Sequence, residues 1–197
     1  MHRTPFSLGT IILGGGALFL IFLILVGVAL PASWEAEATL VAEASPEELF
    51  QHLDSPEGWR GWTFWPDSGV VRSGPETGSG ATLSWDDEEL GSGSFTIAES
   101  DAPRSVRYQV QVGRSMRTEG TIDLTPNGTS TRIAWHESGD LGRNPLMGYW
   151  AFFMNKAQTR ELTKGLGKLA ALGAETTVLD SERNEAPVDS GSTGASR

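Results

Sequence analysis

The sequence predicts an α+β domain preceded by a single apolar helix. Three observations support this prediction. An uncharged apolar run occupies residues 8–30, segments between residues 34 and 137 alternate apolar and polar side chains, and the apolar spacing lengthens to three to five residues after position 144. Alternation is typical of half-buried β-strands, whereas spacings of three and four are typical of α-helices. We therefore expect a helix, a strand, short helices, several strands and one long helix.

The apolar run at residues 8–30 is long enough to cross a membrane. The bilayer core offers no water, so a crossing segment must satisfy its own backbone hydrogen bonds, as a helix of about 20 apolar residues does. A secretory signal has a shorter apolar core of roughly 7–15 residues. The length therefore favours a retained anchor over a cleaved signal.

The charges flanking this run predict its orientation. Arg3 precedes the run, and Glu35 and Glu37 follow it. Basic flanks remain in the cytoplasm. We expect a single-pass membrane protein with a cytoplasmic amino terminus and an extracytoplasmic domain.

The chain divides into four predicted regions. Its last residues carry few large apolar side chains and end in Ser, Gly and Thr, a composition that cannot bury enough surface to fold. The regions are a short flank at 1–7, a transmembrane helix at 8–30, a folded domain at 34–173 and a disordered tail at 174–197.

Composition limits the possible functions. The formal net charge is -10, which argues against nucleic acid as a partner because phosphate binding needs clustered Lys and Arg. The chain has no cysteine, which excludes disulfides, thiolate nucleophiles and cysteine-ligated metals. Acidity of this kind also simply keeps a domain soluble.

The domain begins with a strand and a well-marked helix start. Apolar residues alternate from Trp34 to Ala44, which predicts a half-buried strand. Ser45, Pro46 and Glu48 then combine an N-cap, a proline at the first helical position and a glutamate three residues after the cap. A short helix should follow, with a second helical turn near residues 57–62.

The middle of the domain is predicted to be antiparallel sheet. About six further segments alternate or are joined by short turns, and Asn127-Gly128 suits a tight hairpin. A long helix should start near Pro145 and run for about 27 residues, judged from its 3.6-residue periodicity. A single helix covering the apolar face of such a sheet leaves an internal cavity, where ligands commonly bind.

Several motifs resemble those of a known family, and they lie at residues 44–50, 78–85, 128–135, 139–145 and 165–166. With this order of elements, the chain is similar to the START-like helix-grip superfamily (SRPBCC), and in detail to its polyketide cyclase/dehydrase-like branch. The resemblance implies a curved antiparallel sheet wrapped around the C-terminal helix, and binding of lipids, polyketides or other hydrophobic molecules. No catalytic motif of the family's cyclases can be placed here, so the resemblance implies no catalytic residue.

Aromatic residues are the candidate ligand contacts. The chain has seven tryptophans, and those in the loop after residue 58 suit either the mouth of an apolar pocket or a bilayer interface. Aromatic residues on the first turns of the long helix should face the same mouth. Packing in an ordinary core is the alternative interpretation. The predicted ligand-binding residues are Trp62, Trp65, Trp85, Tyr108, Trp135, Tyr149 and Phe153.

The sequence offers no strong catalytic or metal motif. His136-Glu137 begins like a zinc-protease motif but lacks the second histidine. His136 and Arg132 should face away from Trp135 and be exposed, because residues two apart share a strand face. We therefore predict no catalytic residue, no metal and no cofactor.

Three functions remain open at this point. The leading one is a membrane-anchored, non-catalytic domain that binds a hydrophobic small molecule, such as a lipid or a polyketide-like metabolite. The second is a cyclase- or hydrolase-like enzyme using His136 with Arg132, Tyr108 or Glu137, which requires an inward-facing ionisable pair. The third is a protein-interaction module of a membrane complex, which requires a cavity filled by side chains.

Overall fold

The computed structural model describes residues 8–63, 65–66, 69–88, 91–113, 116–141 and 145–185. It confirms the predicted class: an apolar helix, one antiparallel sheet and a long C-terminal helix. The elements are α1 (Leu8–Ala29), β1 (Ser33–Ala42), α2 (Pro46–Phe50), α3 (Pro56–Arg60), β2 (Val70–Ser73), β3 (Thr82–Asp87), β4 (Gly91–Asp101), β5 (Ser105–Val112), β6 (Met116–Asn127), β7 (Ser130–Asp140) and α4 (Pro145–Glu185).

The seven strands form one sheet in the order β1-β7-β6-β5-β4-β3-β2. Every neighbouring pair is antiparallel. Alternation along β7 shows how the sequence divides the two faces. Ile133, Trp135 and Glu137 are buried, whereas Arg132 and His136 are exposed, as their positions predict. The core therefore lies on one side of the sheet, under α4.

The predicted start of α2 is confirmed in atomic detail. The backbone N–H of Glu48 donates to Ser45 Oγ (3.3 Å), and the Ser45 N–H donates to Glu48 Oε2 (2.7 Å). This reciprocal capping box satisfies two donors that a helix start leaves without partners. Leu49 and Phe50 of the same helix are buried in the core.

Helix α4 is longer than the periodicity indicates. It has 41 residues, and residues 174–185 of the predicted tail belong to it. The Thr176 hydroxyl donates to the carbonyl of Leu172 (3.1 Å) and accepts from Gln51 Nε2 (3.3 Å), so this turn docks beside α2. That contact involves residues distant in sequence, which composition alone does not reveal. Residues 186–197 lie outside the described part of the chain.

Helix α1 is long and apolar enough to cross a membrane, and a signal sequence near the N-terminus has the same properties. Most of its large apolar side chains are exposed. The predicted flank at residues 1–7 lies outside the described residues.

Candidate ligand-binding cavity

A cavity of about 500 Å³ lies between the inner face of the sheet and α4. Cavities of roughly 300–1,000 Å³ are typical of sites for small molecules and cofactors. Strands β3, β4, β5 and β7 supply one wall, α4 a second, and the segment from α3 to Pro66 a third. The aromatic residues of the lining are Trp59, Trp62, Trp65, Trp85, Phe95, Tyr108 and Trp135.

The wall beside α3 is held by indole hydrogen bonds. Trp59 Nε1 donates to the carbonyl of Leu53 (2.8 Å), and Trp62 Nε1 donates to that of His52 (3.4 Å). The two ring centroids are 4.7 Å apart. Because the polar edge of each ring is bonded to the backbone, both rings can pack in the apolar interior, where Trp59 also contacts Phe95 and Tyr108.

Most of the predicted ligand contacts meet in this cavity. Its lining includes five of the seven: Trp62, Trp65, Trp85, Tyr108 and Trp135. Their role in binding stays a prediction, but the structure brings them together.

The remaining two predicted contacts differ. The Tyr149 hydroxyl donates to the backbone carbonyl of Leu23 in α1 (2.7 Å), so the expectation that Tyr149 faces the cavity mouth is wrong. The end of α1 lies beside the start of α4, and the Tyr149 side chain bonds to α1. The Phe153 side chain lies outside the described residues.

Glu137 brings a carboxyl group into the cavity wall. The Tyr108 hydroxyl donates to Glu137 Oε1, and Gln158 Nε2 of α4 donates to Glu137 Oε2 (2.7 Å). Trp135 Nε1 in turn donates to the Tyr108 hydroxyl oxygen (2.9 Å). Glu137 is 6% exposed and Tyr108 2% exposed. The network therefore places a fully bonded polar spot on an otherwise mostly apolar surface.

Burial sets the protonation of this pair. Loss of hydration raises the pKa of Glu137, and the hydrogen bonds from Tyr108 and Gln158 only partly oppose that rise. Burial, and then the neighbouring Glu137 carboxylate, raise the pKa of Tyr108 well above its ordinary value. Tyr108 thus stays a neutral donor, while Glu137 holds its proton to higher pH than an exposed glutamate.

The inward-facing ionisable pair is Tyr108 with Glu137, without the histidine that the enzyme hypothesis placed first. His136 and Arg132 lie on the exposed face of β7. Glu137 is two residues from Trp135, so strand alternation already places it on the inner face. This two-residue spacing is the sequence signal that predicts an inward-facing Glu137.

Two further features shape the site. Exposed charged residues of α4 form its edge, where Lys164 Nζ lies 2.7 Å from Glu161 Oε1. Trp85 Nε1 is buried and has no hydrogen-bond acceptor among the described residues.

Within the described residues, no group of three or more His, Asp or Glu side chains is placed to hold a metal ion.

Solved structures share this architecture. Norcoclaurine synthase from Thalictrum flavum, a point mutant in complex with a transition-state analogue, aligns with a TM-score of 0.57 at 14% identity, covering 74% of this chain and 96% of that one. A protein from Thermus thermophilus aligns with a TM-score of 0.56 at 19% identity, covering 73% and 99%. The di-domain ARO/CYC StfQ from the steffimycin biosynthetic pathway aligns with 0.57 at 10% identity, covering 74% and 52%. These likenesses show the helix-grip fold.

Sequence comparison gives the family. No curated protein matches the chain significantly. A family model described as polyketide cyclase / dehydrase and lipid transport matches residues 33–173, which include the whole sheet and α4 as far as Gly173. The chain therefore belongs to the polyketide cyclase / dehydrase and lipid transport family.

Proposed function

We propose that this protein is a membrane-anchored, non-catalytic domain that binds a hydrophobic small molecule, a lipid or a polyketide-like metabolite, between its sheet and α4. The observation that carries the proposal is the cavity of about 500 Å³ with seven aromatic residues in its lining. Burying an apolar guest there releases roughly 25 cal/mol per Å² of apolar surface. The family description, which includes both cyclases and lipid transport, supports this class of ligand.

The anchor fits a ligand that dissolves in membranes. A retained α1 confines the domain to the bilayer surface, which raises its encounter rate with membrane-dissolved molecules through effective concentration. In this proposed arrangement, the amino terminus lies in the cytoplasm and the domain lies outside the cytoplasm. A topology reporter fused after Arg197 tests that orientation: extracytoplasmic activity supports it, and cytoplasmic activity contradicts it.

The polar groups of the lining limit the chemical class of the ligand further. Trp85 Nε1 offers a hydrogen bond that no described residue accepts. Glu137 lies at the cavity surface with a raised pKa, so it can donate when protonated and accept when ionised. We therefore expect an apolar body with an oxygen that accepts from Trp85 and a polar group near Glu137.

Native mass spectrometry of the full chain in detergent micelles tests the proposal. The probes are palmitate for an acyl ligand and 2-naphthol for an aromatic one. Val110 lies in the lining, so Val110→Trp should narrow the cavity and weaken binding of one equivalent. Val41→Trp is the matched control, because Val41 is 50% exposed on the edge strand β1. Equal binding to both variants, or no bound molecule in the unmodified protein, would contradict the proposal.

One observation favours an enzyme as the second candidate. The buried Tyr108–Glu137 pair is an ionisable pair in an apolar cavity, and its carboxyl pKa is raised toward the range that suits general acid–base catalysis. The ligand recovered from the unmodified protein should then differ in mass from the ligand that accumulates on Glu137→Gln. A non-catalytic domain yields the same molecule from both proteins.

The cavity argues against the protein-interaction module. That alternative required an interior filled by side chains, and a space of about 500 Å³ remains open beneath α4. We therefore favour binding of a small molecule.

A further inference from the structure

The first turns of α4 lie against the last turns of α1. The Tyr149 hydroxyl donates to the Leu23 carbonyl (2.7 Å). A Cβ added to Gly148 would stand 2.7 Å from Leu30 Cβ and 2.8 Å from the Gly27 carbonyl oxygen. Gly148 therefore allows the two helices to approach closely, and small residues at such contacts are common between helices in membranes.

These contacts fix the depth of the α4 start relative to the anchor. Leu23 lies six residues before the end of α1, which is about 9 Å along the helix axis at 1.5 Å per residue. A side chain bonded to the Leu23 carbonyl is therefore level with the interior of the apolar run, well below its end. Gly148 itself lies beside Gly27 and Leu30, so if α1 spans a bilayer, the start of α4 is level with the last turn of α1 and the Tyr149 side chain reaches below it.

The composition of the α4 start suits such a position. Residues 145–155 contain no charged side chain. Leu146 is 67% exposed and Trp150 57% exposed, whereas Ala151 is buried against the domain. Large apolar side chains left uncovered beside an anchor match the acyl and interfacial layers, where tryptophan is enriched.

We infer that the first two turns of α4, residues 145–151, are immersed in the same leaflet as the end of α1. The bilayer itself covers the exposed apolar face that Leu146 and Trp150 form. This inference rests on the retained anchor of the proposed function, and it adds that the domain is fixed to the membrane through two helices instead of hanging from one.

A fixed start of α4 also sets the height of the ligand site. Gln158 follows Pro145 by 13 residues in the same helix, which is about 20 Å at 1.5 Å per residue. Gln158 and Lys168 belong to the cavity lining. One continuous helix thus connects the bilayer to the wall of the cavity and holds them at a constant distance.

Site-directed spin labelling tests the inference on the full chain. The natural sequence has no cysteine, so single-cysteine variants can be labelled with a nitroxide without further changes. The test sites are Leu146→Cys and Trp150→Cys. Val71→Cys is the matched control, because Val71 is apolar and 65% exposed on β2; Leu20→Cys reports on α1, where Leu20 is 60% exposed.

The labelled proteins are reconstituted into vesicles of phosphatidylcholine and phosphatidylglycerol, and collision rates with oxygen and with a water-soluble nickel complex are compared. We expect labels at 146, 150 and 20 to collide several-fold more with oxygen, relative to nickel, than the label at 71.

Each other outcome overturns a defined claim. If the label at 20 is in lipid while those at 146 and 150 are in water, the inference fails and the anchor stands. If the label at 20 is in water, the anchor fails and the inference with it. Labels at 146 and 150 protected from both reagents would show that a second copy of the chain covers this face, which also overturns the inference.

Discussion

The Tyr108 hydroxyl donates a hydrogen bond to Glu137 inside a cavity whose walls are otherwise mostly aromatic or aliphatic. The two residues lie on β5 and β7, and Gly120 of β6 pairs with both of them. A Cβ on Gly120 would collide with the Tyr108 ring. The glycine therefore makes the contact between the two side chains possible across the intervening strand.

Replacement of Glu137 should change how stability depends on pH. Burial raises the pKa of this carboxyl in the folded state, so the folded protein binds the proton more tightly than the unfolded chain. The stabilisation that this carboxyl contributes is complete below its pKa in the unfolded chain, roughly 4. It is lost as pH rises through the pKa of the carboxyl in the folded protein. Glu137→Gln keeps the shape without the charge, so its stability relative to the unmodified protein should rise as pH increases from about 4 through the folded pKa, and stay constant above it.

Urea unfolding of the full chain in detergent micelles, measured between pH 4 and pH 8, checks this prediction. Glu43→Gln is the control, since Glu43 is exposed and should leave the pH profile almost unchanged. A difference between Glu137→Gln and the unmodified protein that stays constant over the whole range would contradict the predicted linkage.

Two glycines of α4 should respond in opposite directions to alanine. A Cβ on Gly165 would stand 2.8 Å from the Trp135 ring, whereas one on Gly167 meets nothing within 4 Å. Gly165→Ala should destabilise the fold by about 1–3 kcal/mol through overpacking. Gly167→Ala should stabilise it by about 0.5–1 kcal/mol, because alanine favours the helix. The free energies of unfolding of both variants, compared with that of the unmodified protein, test this prediction. Changes of the same sign in the two variants would contradict this account of the packing.

Local patterns in the sequence were sufficient to predict most of the fold. Alternation along β7 places Ile133 and Trp135 inside and Arg132 outside, because a strand has only two faces. The spacing of Ser45 and Glu48 predicts α2, because a capping box needs only neighbouring residues. The candidate cavity followed from the same patterns: a sheet with one apolar face and a single helix to cover it.

Contacts between distant segments could not be predicted in this way. Tyr149 bonds to a residue 126 positions earlier, and nothing near it in sequence indicates that partner. Thr176, in the part of α4 that the periodicity does not indicate, bonds to Gln51, 125 positions earlier. Periodicity and composition do not encode such contacts, so they predicted neither the position of the Tyr149 side chain nor the full length of α4.

Trp85→Phe should weaken ligand binding. If the ligand accepts a hydrogen bond from Trp85 Nε1, its loss costs about 1 kcal/mol, or about fivefold in affinity. Titration of the bound fraction by native mass spectrometry with palmitate and 2-naphthol measures the change. Trp150→Phe is the control, because Trp150 is exposed at the other end of α4 and is absent from the cavity lining. Equal losses in the two variants would contradict a specific role for Trp85.

Ser45→Ala should remove the N-cap of α2. The hydroxyl accepts from the Glu48 N–H and donates to Glu48 Oε2 (2.9 Å), and loss of such a cap costs about 1 kcal/mol. The urea midpoint should fall while binding of palmitate or 2-naphthol stays unchanged, since neither residue lines the cavity. An unchanged midpoint would show that packing of Leu49 and Phe50 alone holds the helix.

Photoaffinity mapping tests the central claim most directly. The full chain in vesicles is irradiated with two diazirine probes, one an acyl chain and one a polycyclic aromatic, and the modified peptides are identified. We predict that at least one probe labels the cavity walls on β5 (Ser105–Val112) and on α4 between Gln158 and Lys168, and that Val110→Trp reduces this labelling. Labelling by both probes confined to α1 and residues 145–151 would show that apolar molecules reach the protein only from the bilayer, and would contradict a ligand site beneath α4.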